Sequence, residues 1–312
     1  MSFDPEVLGA ALPDYTLLSA RPLSGGLSNR CWQLTMRHRC TGMSIEAVWR
    51  PESAASRAFG LSREHEHRIL SQLAPSGLAP ASLRCFSPAS AQQAPERKAF
   101  QQSLRQNAPL SGLLVAWVPG READATFSDT ALMQLLARIH HQPAPQWRLD
   151  VRAKAEHYWQ YIHPQDKSPA LQQLYHRFQA TAPQAWFSDT CCHHDLGRYN
   201  IILRPDGGET VIDWEYASAG DPSLDLALTL NANGIDDTRQ RAGAIRGYCR
   251  ARGEQNVARW QQAVSAWQPW CDYLAMLWFY VGANLWQTPS YRTTAEPLLA
   301  KLSTKKQPDP QN

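Results

Sequence analysis

The sequence predicts an α+β fold in which antiparallel strands and one helix come first and a mainly helical half follows. Residues 30–36 alternate between apolar and polar side chains, and this period of two indicates a strand, which the turn Thr41-Gly42 joins to a second strand over residues 45–50. The apolar run 112–118 indicates a further, buried strand. From residue 129 onwards the apolar side chains recur mainly at helical spacing, apart from a short β-element expected around 191–213.

One helix is expected among the strands, over residues 63–73. Ile69, Leu70 and Leu73 share a face of this helix, whereas charged residues such as Glu66 occupy other positions. An amphipathic helix of this kind packs its apolar face on a sheet.

The predicted boundary between the two halves is the turn Pro119-Gly120. We therefore expect an N-terminal lobe over residues 1–118 and a helical C-terminal lobe over residues 119–312. Within the first lobe, residues 86–109 are rich in Ser, Ala, Gln and Pro, which predicts a polar excursion between two strands.

Composition and charge exclude several classes of protein. The 312 residues have a formal net charge of +3, which is too small for nucleic acid to be the main partner. The first twenty residues lack the basic start of a signal peptide, and no apolar stretch reaches the roughly 18 residues that a membrane span needs. The seven cysteines show no zinc spacing and are expected to be buried thiols in a reducing compartment. We therefore expect a cytoplasmic protein that binds neither nucleic acid nor membrane, and the sequence implies no protein partner.

Three residues with oxygen-bearing side chains form the most informative motif. Asp195 is followed five residues later by Asn200, and Asp213 follows a short apolar strand. Phosphoryl transfer needs a group that orients the acceptor's hydroxyl and takes its proton, and oxygen ligands that hold Mg²⁺ on nucleotide phosphates. Asp195 suits the first role, whereas Asn200 and Asp213 suit the second. A metal site made of His193, His194 and Asp195 is the alternative, but consecutive residues of extended backbone point to opposite sides.

Further residues are expected to support this segment. A buried His193 would orient the loop through hydrogen bonds. Asp221 and Pro222 have the pattern of an N-cap and a first helical residue, and Asp225 then points back toward the loop, where it is expected to brace it.

The first lobe supplies candidates for nucleotide binding. Gly25 and Gly26 permit the backbone to approach phosphate oxygens, although a simple turn is the commoner use of such a pair. Arg50 ends the second predicted strand and is a candidate phosphate-binding cation, with a surface arginine as the alternative. Glu66, on the following helix, is the expected ion-pair partner of Arg50, and Glu64 competes for that role.

Tryptophans are numerous, twelve in all, and several crowd the segment 267–286. Most of them indicate a helix packed in the core. An aromatic pocket with a carboxylate nearby would also bind an organic cation through cation–π attraction, and the candidates are Trp278, Trp286, Asp272 and Glu215. Residues 231–312 carry ten Lys or Arg against six Asp or Glu, which favours a singly charged substrate over a polycation.

These motifs together resemble the aminoglycoside phosphotransferase and choline kinase superfamily, a branch of the protein-kinase-like fold. The strings that carry the resemblance are His193-x-Asp195-x₄-Asn200, Ile212-Asp213-Trp214-Glu215-Tyr216 and Gly220-Asp221-Pro222-x-x-Asp225-Leu226-Ala227. Within that superfamily the chain is most similar to bacterial thiamine kinases, through strings such as 136–143 and 267–270. It departs from the common loop at Gly197 and Arg198, which replace a His-Pro pair.

The resemblance implies a two-lobed fold, ATP and Mg²⁺ as cofactors, Asp195 as the catalytic aspartate, and Asn200 and Asp213 as magnesium ligands. It also implies that Trp117 and Val118 belong to an adenine-binding hinge. We therefore expect an ATP-dependent kinase that phosphorylates the primary hydroxyl of thiamine to give thiamine monophosphate. Choline, ethanolamine or a sugar stays open as the small-molecule acceptor, and so does a nucleotide-binding scaffold without catalysis.

Overall fold

The computed structural model describes residues 4–23, 31–87 and 110–304, and their helices and strands form the α+β fold that the sequence predicts. The chain divides into two compact units. The first unit comprises Met1–Arg57, Leu61–Glu122 and Ile201–Glu215, and the second comprises Ala58–Gly60, Ala123–Asn200 and Tyr216–Asn312. The sequence predicted one division after residue 118, whereas the structure divides the chain after Glu122 and assigns residues 201–215 to the first unit.

The described residues form ten strands and ten α-helices. The strands are β1 (Tyr15–Pro22), β2 (Trp32–His38), β3 (Ser44–Pro51), β4 (Ser82–Phe86), β5 (Gly112–Ala116), β6 (Arg121–Glu122), β7 (Thr190–Cys192), β8 (Ile201–Leu203), β9 (Glu209–Val211) and β10 (Ser218–Gly220). The helices are α1 (Pro5–Ala10), α2 (Ala54–Ala58), α3 (Arg63–Leu73), α4 (Asp129–His140), α5 (Val151–Tyr161), α6 (Pro169–Ala180), α7 (Pro222–Ala232), α8 (Thr238–Arg252), α9 (Val257–Trp286) and α10 (Pro289–Thr304).

The first unit contains an antiparallel five-stranded sheet in the order β1-β2-β3-β5-β4. The predicted alternation sets its register, because Leu34 and Met36 of β2 point to the same buried face and pair with Ala47 and Ile45 of β3. Trp49 of β3 completes this core and is also buried. The two predicted strands are therefore confirmed.

Helix α3 packs with this sheet and carries part of the candidate site. Ser62 caps its N-terminus, since the Ser62 hydroxyl accepts from the backbone N–H of His65 at 3.2 Å. The predicted apolar face is confirmed, since Ile69, Leu70 and Leu73 are buried. Arg63 and Glu66 are buried as well, which the amphipathic pattern does not predict.

A second, three-stranded sheet of the first unit, in the order β6-β8-β9, leads to Asp213. Its strands are antiparallel and short, and the backbone N–H of Val211 donates to Leu78 O at 2.8 Å. This contact fixes the end of β9 two residues before Asp213.

The second unit is mainly helical, with strands β7 and β10 paired antiparallel. Its longest described helix is α9, of 30 residues, and Trp267, Trp270 and Leu274 of this helix are buried, as the helical spacing predicts. Helix α7 begins as expected, with Asp221 as the N-cap and Pro222 at its first position.

Over the part of the chain that the structure describes, no helix combines the length and the apolar character that a membrane span requires. The predicted polar excursion at 86–109 lies almost entirely outside the described residues, which end at Ser87 and resume at Leu110.

Candidate active site

The candidate catalytic segment connects β7 to β8 and lies in the second unit. Asn200 is only 5% exposed, and its side-chain Nδ2 donates to the backbone O of Asp195 at 2.9 Å and to Asp195 Oδ2 at 3.2 Å. These two bonds use the nitrogen of the amide, which leaves its oxygen as the atom able to ligate a cation. The structure thus brings together the predicted base and one predicted metal ligand.

A residue that the sequence interpretation missed also contacts the base. Tyr199 donates from its hydroxyl to Asp195 Oδ1 at 2.7 Å. The spacing of four residues between Asp195 and Tyr199 is compatible with this contact but does not by itself predict it.

A buried carboxylate braces the segment from helix α7. Asp225 accepts from the backbone N–H groups of His193 and His194, both at 2.8 Å, and from His140 Nε2 at 3.0 Å. Burial opposes its charge, but the His140 hydrogen bond and the neighbouring imidazoles hold the pKa of Asp225 well below its ordinary value. The predicted bracing role of Asp225 is confirmed.

The two histidines before the base are buried and have different surroundings. His193 Nδ1 accepts from the backbone N–H of Asp195 at 3.2 Å, which confirms that His193 orients the loop. His194 has a positive φ of 64°, and burial lowers its pKa to about 4. The metal-site alternative is not supported, because among the described residues the ligand atoms that lie close enough to share one ion are those of His140, Cys192 and Asp225 rather than those of His193, His194 and Asp195.

Arg198 holds the segment to helix α4. Its Nη2 pairs with Asp129 Oδ1 at 2.6 Å, its Nε donates to Phe127 O at 2.8 Å, and its Nη1 donates to Asn233 Oδ1 at 3.2 Å. Because these three groups engage the guanidinium from different sides, Arg198 has an anchoring role in the structure.

The candidate nucleotide-binding cation of the first unit lies in a buried cluster of charges. Arg50 contacts three carboxylates: its Nε lies 2.9 Å from Glu66 Oε1, and its Nη2 lies 2.5 Å from Asp213 Oδ1 and 2.9 Å from Glu215 Oε2. The expected partner Glu66 is therefore in contact. The competing residue Glu64 instead pairs with the exposed Arg68.

A second arginine, which the sequence interpretation did not single out, completes this cluster. Arg63 Nη1 lies 2.5 Å from Glu66 Oε2 and 3.1 Å from Glu215 Oε2. We call these five residues, namely Arg50, Arg63, Glu66, Asp213 and Glu215, the arginine–carboxylate cluster. Its three carboxylates exceed its two guanidinium groups by one negative charge when all are ionised.

Exposure distinguishes the carboxylates of this cluster. The side chains of Glu66 and Glu215 are 2% and 1% exposed, whereas that of Asp213 is 30% exposed. Burial raises the pKa of Glu215, as does the negative charge of Asp213, while both arginines act in the opposite direction. Asp213 has a positive φ of 64°, a conformation that Asp tolerates better than most residues and that follows directly from the end of β9.

Each predicted metal ligand, taken on its own, has the oxygen chemistry that Mg²⁺, implied by the resemblance, would need. Asp213 offers an accessible carboxylate in a cluster with excess negative charge, and Asn200 offers an amide oxygen whose partner nitrogen is already bonded. Hard oxygen atoms of this kind are the ligands that Mg²⁺ prefers.

The structure describes only some of the remaining residues that were predicted to contact the nucleotide. Trp117 and Val118 follow β5 and are half-buried, and the backbone N–H of Trp117 donates to Glu46 O at 3.1 Å. Gly25 and Gly26 lie outside the described residues.

The predicted substrate residues have different contacts in the structure. Trp278 and Trp286 lie together, with ring centroids 5.7 Å apart, and both contact Phe59 at 5.0 and 5.6 Å. The Asp272 carboxylate is buried and engaged by Lys301 Nζ at 2.7 Å and by Gln268 Nε2 at 2.9 Å. Glu215, the other predicted carboxylate, belongs to the arginine–carboxylate cluster.

A lysine lies at the edge of this aromatic group. Lys154 Nζ donates to Phe59 O at 2.5 Å and lies 5.2 Å from the ring centroids of both Tyr158 and Tyr216. The hydroxyl of Tyr216 accepts from Trp278 Nε1 at 3.1 Å. These rings therefore already hold one ammonium group through cation–π attraction.

Comparison with known proteins identifies the family to which the chain belongs. The profile of the phosphotransferase enzyme family matches residues 19–260. The thiamine kinase of Salmonella paratyphi B is 28% identical over 148 residues, which are 47% of this chain and 52% of that protein. The chain therefore spans about half the length of the curated relatives it matches.

Solved structures share the fold at low sequence identity. The choline kinase LicA from Streptococcus pneumoniae has a TM-score of 0.65 at 17% identity, covering 95% of this chain and 97% of that one. The aminoglycoside 2'-phosphotransferase-IIIa, solved as a GDP complex, has a TM-score of 0.56 at 14% identity, covering 96% of each chain. The predicted kinase-like fold is confirmed.

Proposed function

Because this chain belongs to the phosphotransferase enzyme family, we propose that it is an ATP- and Mg²⁺-dependent kinase that phosphorylates the primary hydroxyl of thiamine. The observation that carries the reaction is the Asp195 carboxylate, held by Asn200 and braced through Asp225. Such a carboxylate orients an alcohol and accepts its proton as phosphate transfers.

In this proposal the acceptor oxygen forms a bond to the γ-phosphorus of ATP while the bond to the ADP oxygen breaks. Asp195 takes the hydroxyl proton. The side chains that would hold Mg²⁺ are Asn200, through its amide oxygen, and Asp213, through its carboxylate. The metal, when bound, offsets negative charge on the phosphates.

Arg50 has a different role. Glu66 engages its Nε at 2.9 Å, and this buried contact orients the guanidinium from one side. Its Nη2, which contacts Asp213 and Glu215, is then the atom that phosphate oxygens would reach, since guanidinium groups bind phosphate well. Both carboxylates would release this nitrogen when nucleotide binds.

Two observations favour thiamine as the acceptor. The curated relatives are named thiamine kinase, and Trp278, Trp286 and Phe59 form an aromatic group suited to a flat organic cation. Choline is the second candidate, because an aromatic group attracts any organic cation and choline kinases share the fold. The ammonium of Lys154 already occupies the faces of Tyr158 and Tyr216, so the Trp286 side of the group is the better place for a second cation.

A panel of acceptors tests the proposal. ADP release should be measured with ATP, Mg²⁺ and, in turn, thiamine, choline, ethanolamine and an aminoglycoside. Mass spectrometry should identify thiamine monophosphate as the product. We expect thiamine to give the highest kcat/KM, and Trp286→Ala to raise the KM for thiamine without changing the KM for ATP.

The same panel separates the alternatives. A response to choline alone would replace the substrate and keep the reaction. ATP binding in calorimetry without transfer to any member of the panel would favour a nucleotide-binding scaffold. Trp159→Ala is the control for Trp286→Ala, because it removes another half-buried tryptophan of the same unit, whose ring stacks on Tyr175.

A further inference from the structure

The Asp195 carboxylate is engaged at both oxygens by its own segment. Asn200 Nδ2 donates to Oδ2 at 3.2 Å, and the Tyr199 hydroxyl donates to Oδ1 at 2.7 Å. A base that takes a proton from an alcohol must receive that alcohol's hydroxyl at one of its oxygens. Each oxygen can accept a further hydrogen bond, but each present donor already occupies one of the directions from which the acceptor's hydroxyl can approach.

The two donor residues, Asn200 and Tyr199, differ in how deeply they are buried. Asn200 is 5% exposed and makes a second hydrogen bond, to the backbone O of Asp195 at 2.9 Å. Tyr199 is 49% exposed. The phenol can rotate into solvent without opening a buried cavity, so Tyr199 is the donor that an incoming hydroxyl can replace.

The backbone of the segment is adapted to this tyrosine. A Cβ atom built at Gly197 would lie 2.1 Å from Cε1 and 2.3 Å from Cζ of the Tyr199 ring, closer than any side chain permits. Gly197 thus leaves the space that the ring occupies when the hydroxyl reaches Asp195. This loop has Gly197 and Arg198 where the common pattern has His-Pro. The glycine at residue 197 is what allows the Tyr199 ring to lie at this position.

We propose that Tyr199 is a positioning residue that guards the base against water. This inference rests on the proposed kinase function and extends it. While no acceptor is bound, the phenol holds Asp195 Oδ1 and excludes water from the position at which its proton would be taken. An acceptor alcohol displaces the phenol and receives the phosphoryl group.

The reaction that the phenol suppresses is hydrolysis of ATP. In that reaction a water oxygen bonds to the γ-phosphorus, the bond to the ADP oxygen breaks, and the proton of the water passes to Asp195. The products are ADP and inorganic phosphate. No reactant beyond ATP and water is required.

The test is acceptor-free ATP hydrolysis by the Tyr199→Phe variant, which keeps the ring and removes the hydroxyl. A hydrogen bond to a charged group is worth enough to change an equilibrium about tenfold, so we expect hydrolysis to rise by roughly that factor. Thiamine should also bind severalfold more tightly in calorimetry with ADP present, because no phenol must be displaced. Tyr175→Phe is the control, since it removes a phenol whose ring stacks on Trp159 in the same unit.

Hydrolysis by Tyr199→Phe that equals or falls below the wild-type rate overturns the proposal. If hydrolysis is below detection in both proteins, the thiamine affinity decides, and equal affinities overturn it. Should Tyr199→Phe fail to fold, Gly197→Ala replaces it, because the added Cβ displaces the ring and is expected to raise hydrolysis in the same way. Since hydrolysis needs only ATP and water, the result is separate from the acceptor panel, whose failure refutes the proposed substrate.

Discussion

The two units hold their candidate functional carboxylates by different physical means. In the arginine–carboxylate cluster, buried guanidinium groups compensate the charges of Glu66, Asp213 and Glu215. In the catalytic segment, Asp195 is oriented by a phenol and an amide, and the bracing Asp225 by backbone N–H groups and an imidazole. Ion pairs suit a group that exchanges one cationic partner for another, such as a metal ion. Neutral donors suit a carboxylate that must itself receive a proton.

The largest expected effect is on the neutral-donor side of this comparison. Asp195→Asn keeps the size of the side chain but removes the base, and it replaces one of the two accepting oxygens with an NH2 donor. General base catalysis contributes about 10²–10⁴-fold, so we expect kcat to fall by that factor while the dissociation constant for ATP stays within about twofold. ADP release and nucleotide calorimetry measure the two quantities. A variant that retains more than a tenth of wild-type kcat would refute the role of Asp195.

The second prediction breaks the charge compensation of the cluster. Arg63→Met leaves Glu66 and Glu215 with one guanidinium instead of two, and removing one member of a buried ion pair costs about 3–5 kcal/mol. We expect the free energy of unfolding in urea to fall by that amount. The side chain of Arg63 is almost fully buried, so solvent does not screen the loss.

Helix α3 offers a matched control for this prediction. Arg68 pairs with Glu64 on the exposed side of the same helix, and exposed pairs contribute about 0–1 kcal/mol. Arg68→Met should therefore leave the unfolding free energy nearly unchanged. Equal losses for the two variants would show that Arg63 stabilises the helix by other means than the buried pairs.

The sequence predicted those features that depend on local pattern. Alternation and a turn gave β2 and β3, the order along the chain gave the Arg50–Glu66 pair, and the motif gave Asp195 with Asn200. It did not give the burial of Arg63, because a charged residue at the start of an amphipathic helix is normally solvated. Its burial depends on its contact with Glu215, which is 152 residues away in the chain. A local sequence pattern does not predict a contact at that separation.

The substrate residues show the same limit. Trp278 and Trp286 belong to one helix, and their proximity follows from helical spacing. The partners of Asp272 and Glu215 are set by tertiary packing against Lys301 and the two arginines of the cluster. Residue type and helical spacing therefore do not predict which partners these two carboxylates have.

The third prediction uses the metal to sharpen the comparison. If Asp213 exchanges Arg50 for Mg²⁺, the melting temperature with ADP should rise further when Mg²⁺ is added, because a ligand at about 100 times its dissociation constant stabilises by about 2.7 kcal/mol. Asp213→Asn should bind ADP in EDTA as the wild type does but lose the added effect of Mg²⁺. A Mg²⁺ effect that persists in Asp213→Asn would contradict the assignment of this ligand.

The fourth prediction concerns the pH dependence of stability and tests the buried histidines of the second unit. His194 is buried, and burial outweighs the opposing charge of Asp225, whose Oδ1 lies 4.0 Å from His194 Nδ1, so that the pKa of His194 falls to about 4 from an ordinary value near 6.5. In the unfolded chain His194 binds a proton below about pH 6.5, whereas in the folded chain it does so only below about pH 4. The free energy of unfolding is therefore highest above pH 6.5 and declines as the pH falls from 6.5 to 4. Burial also lowers the pKa of His140, which adds to the decline in the same direction.

The variant His194→Asn tests this, because Asn tolerates the positive φ at this position. It should reduce the slope of unfolding free energy against pH by up to about 1.4 kcal/mol per pH unit, whereas His176→Asn on the exposed side of helix α6 should not. Urea unfolding at a series of pH values from 4 to 7 measures the slopes, and equal slopes for the wild type and His194→Asn would show that the segment is not held by a neutral buried imidazole.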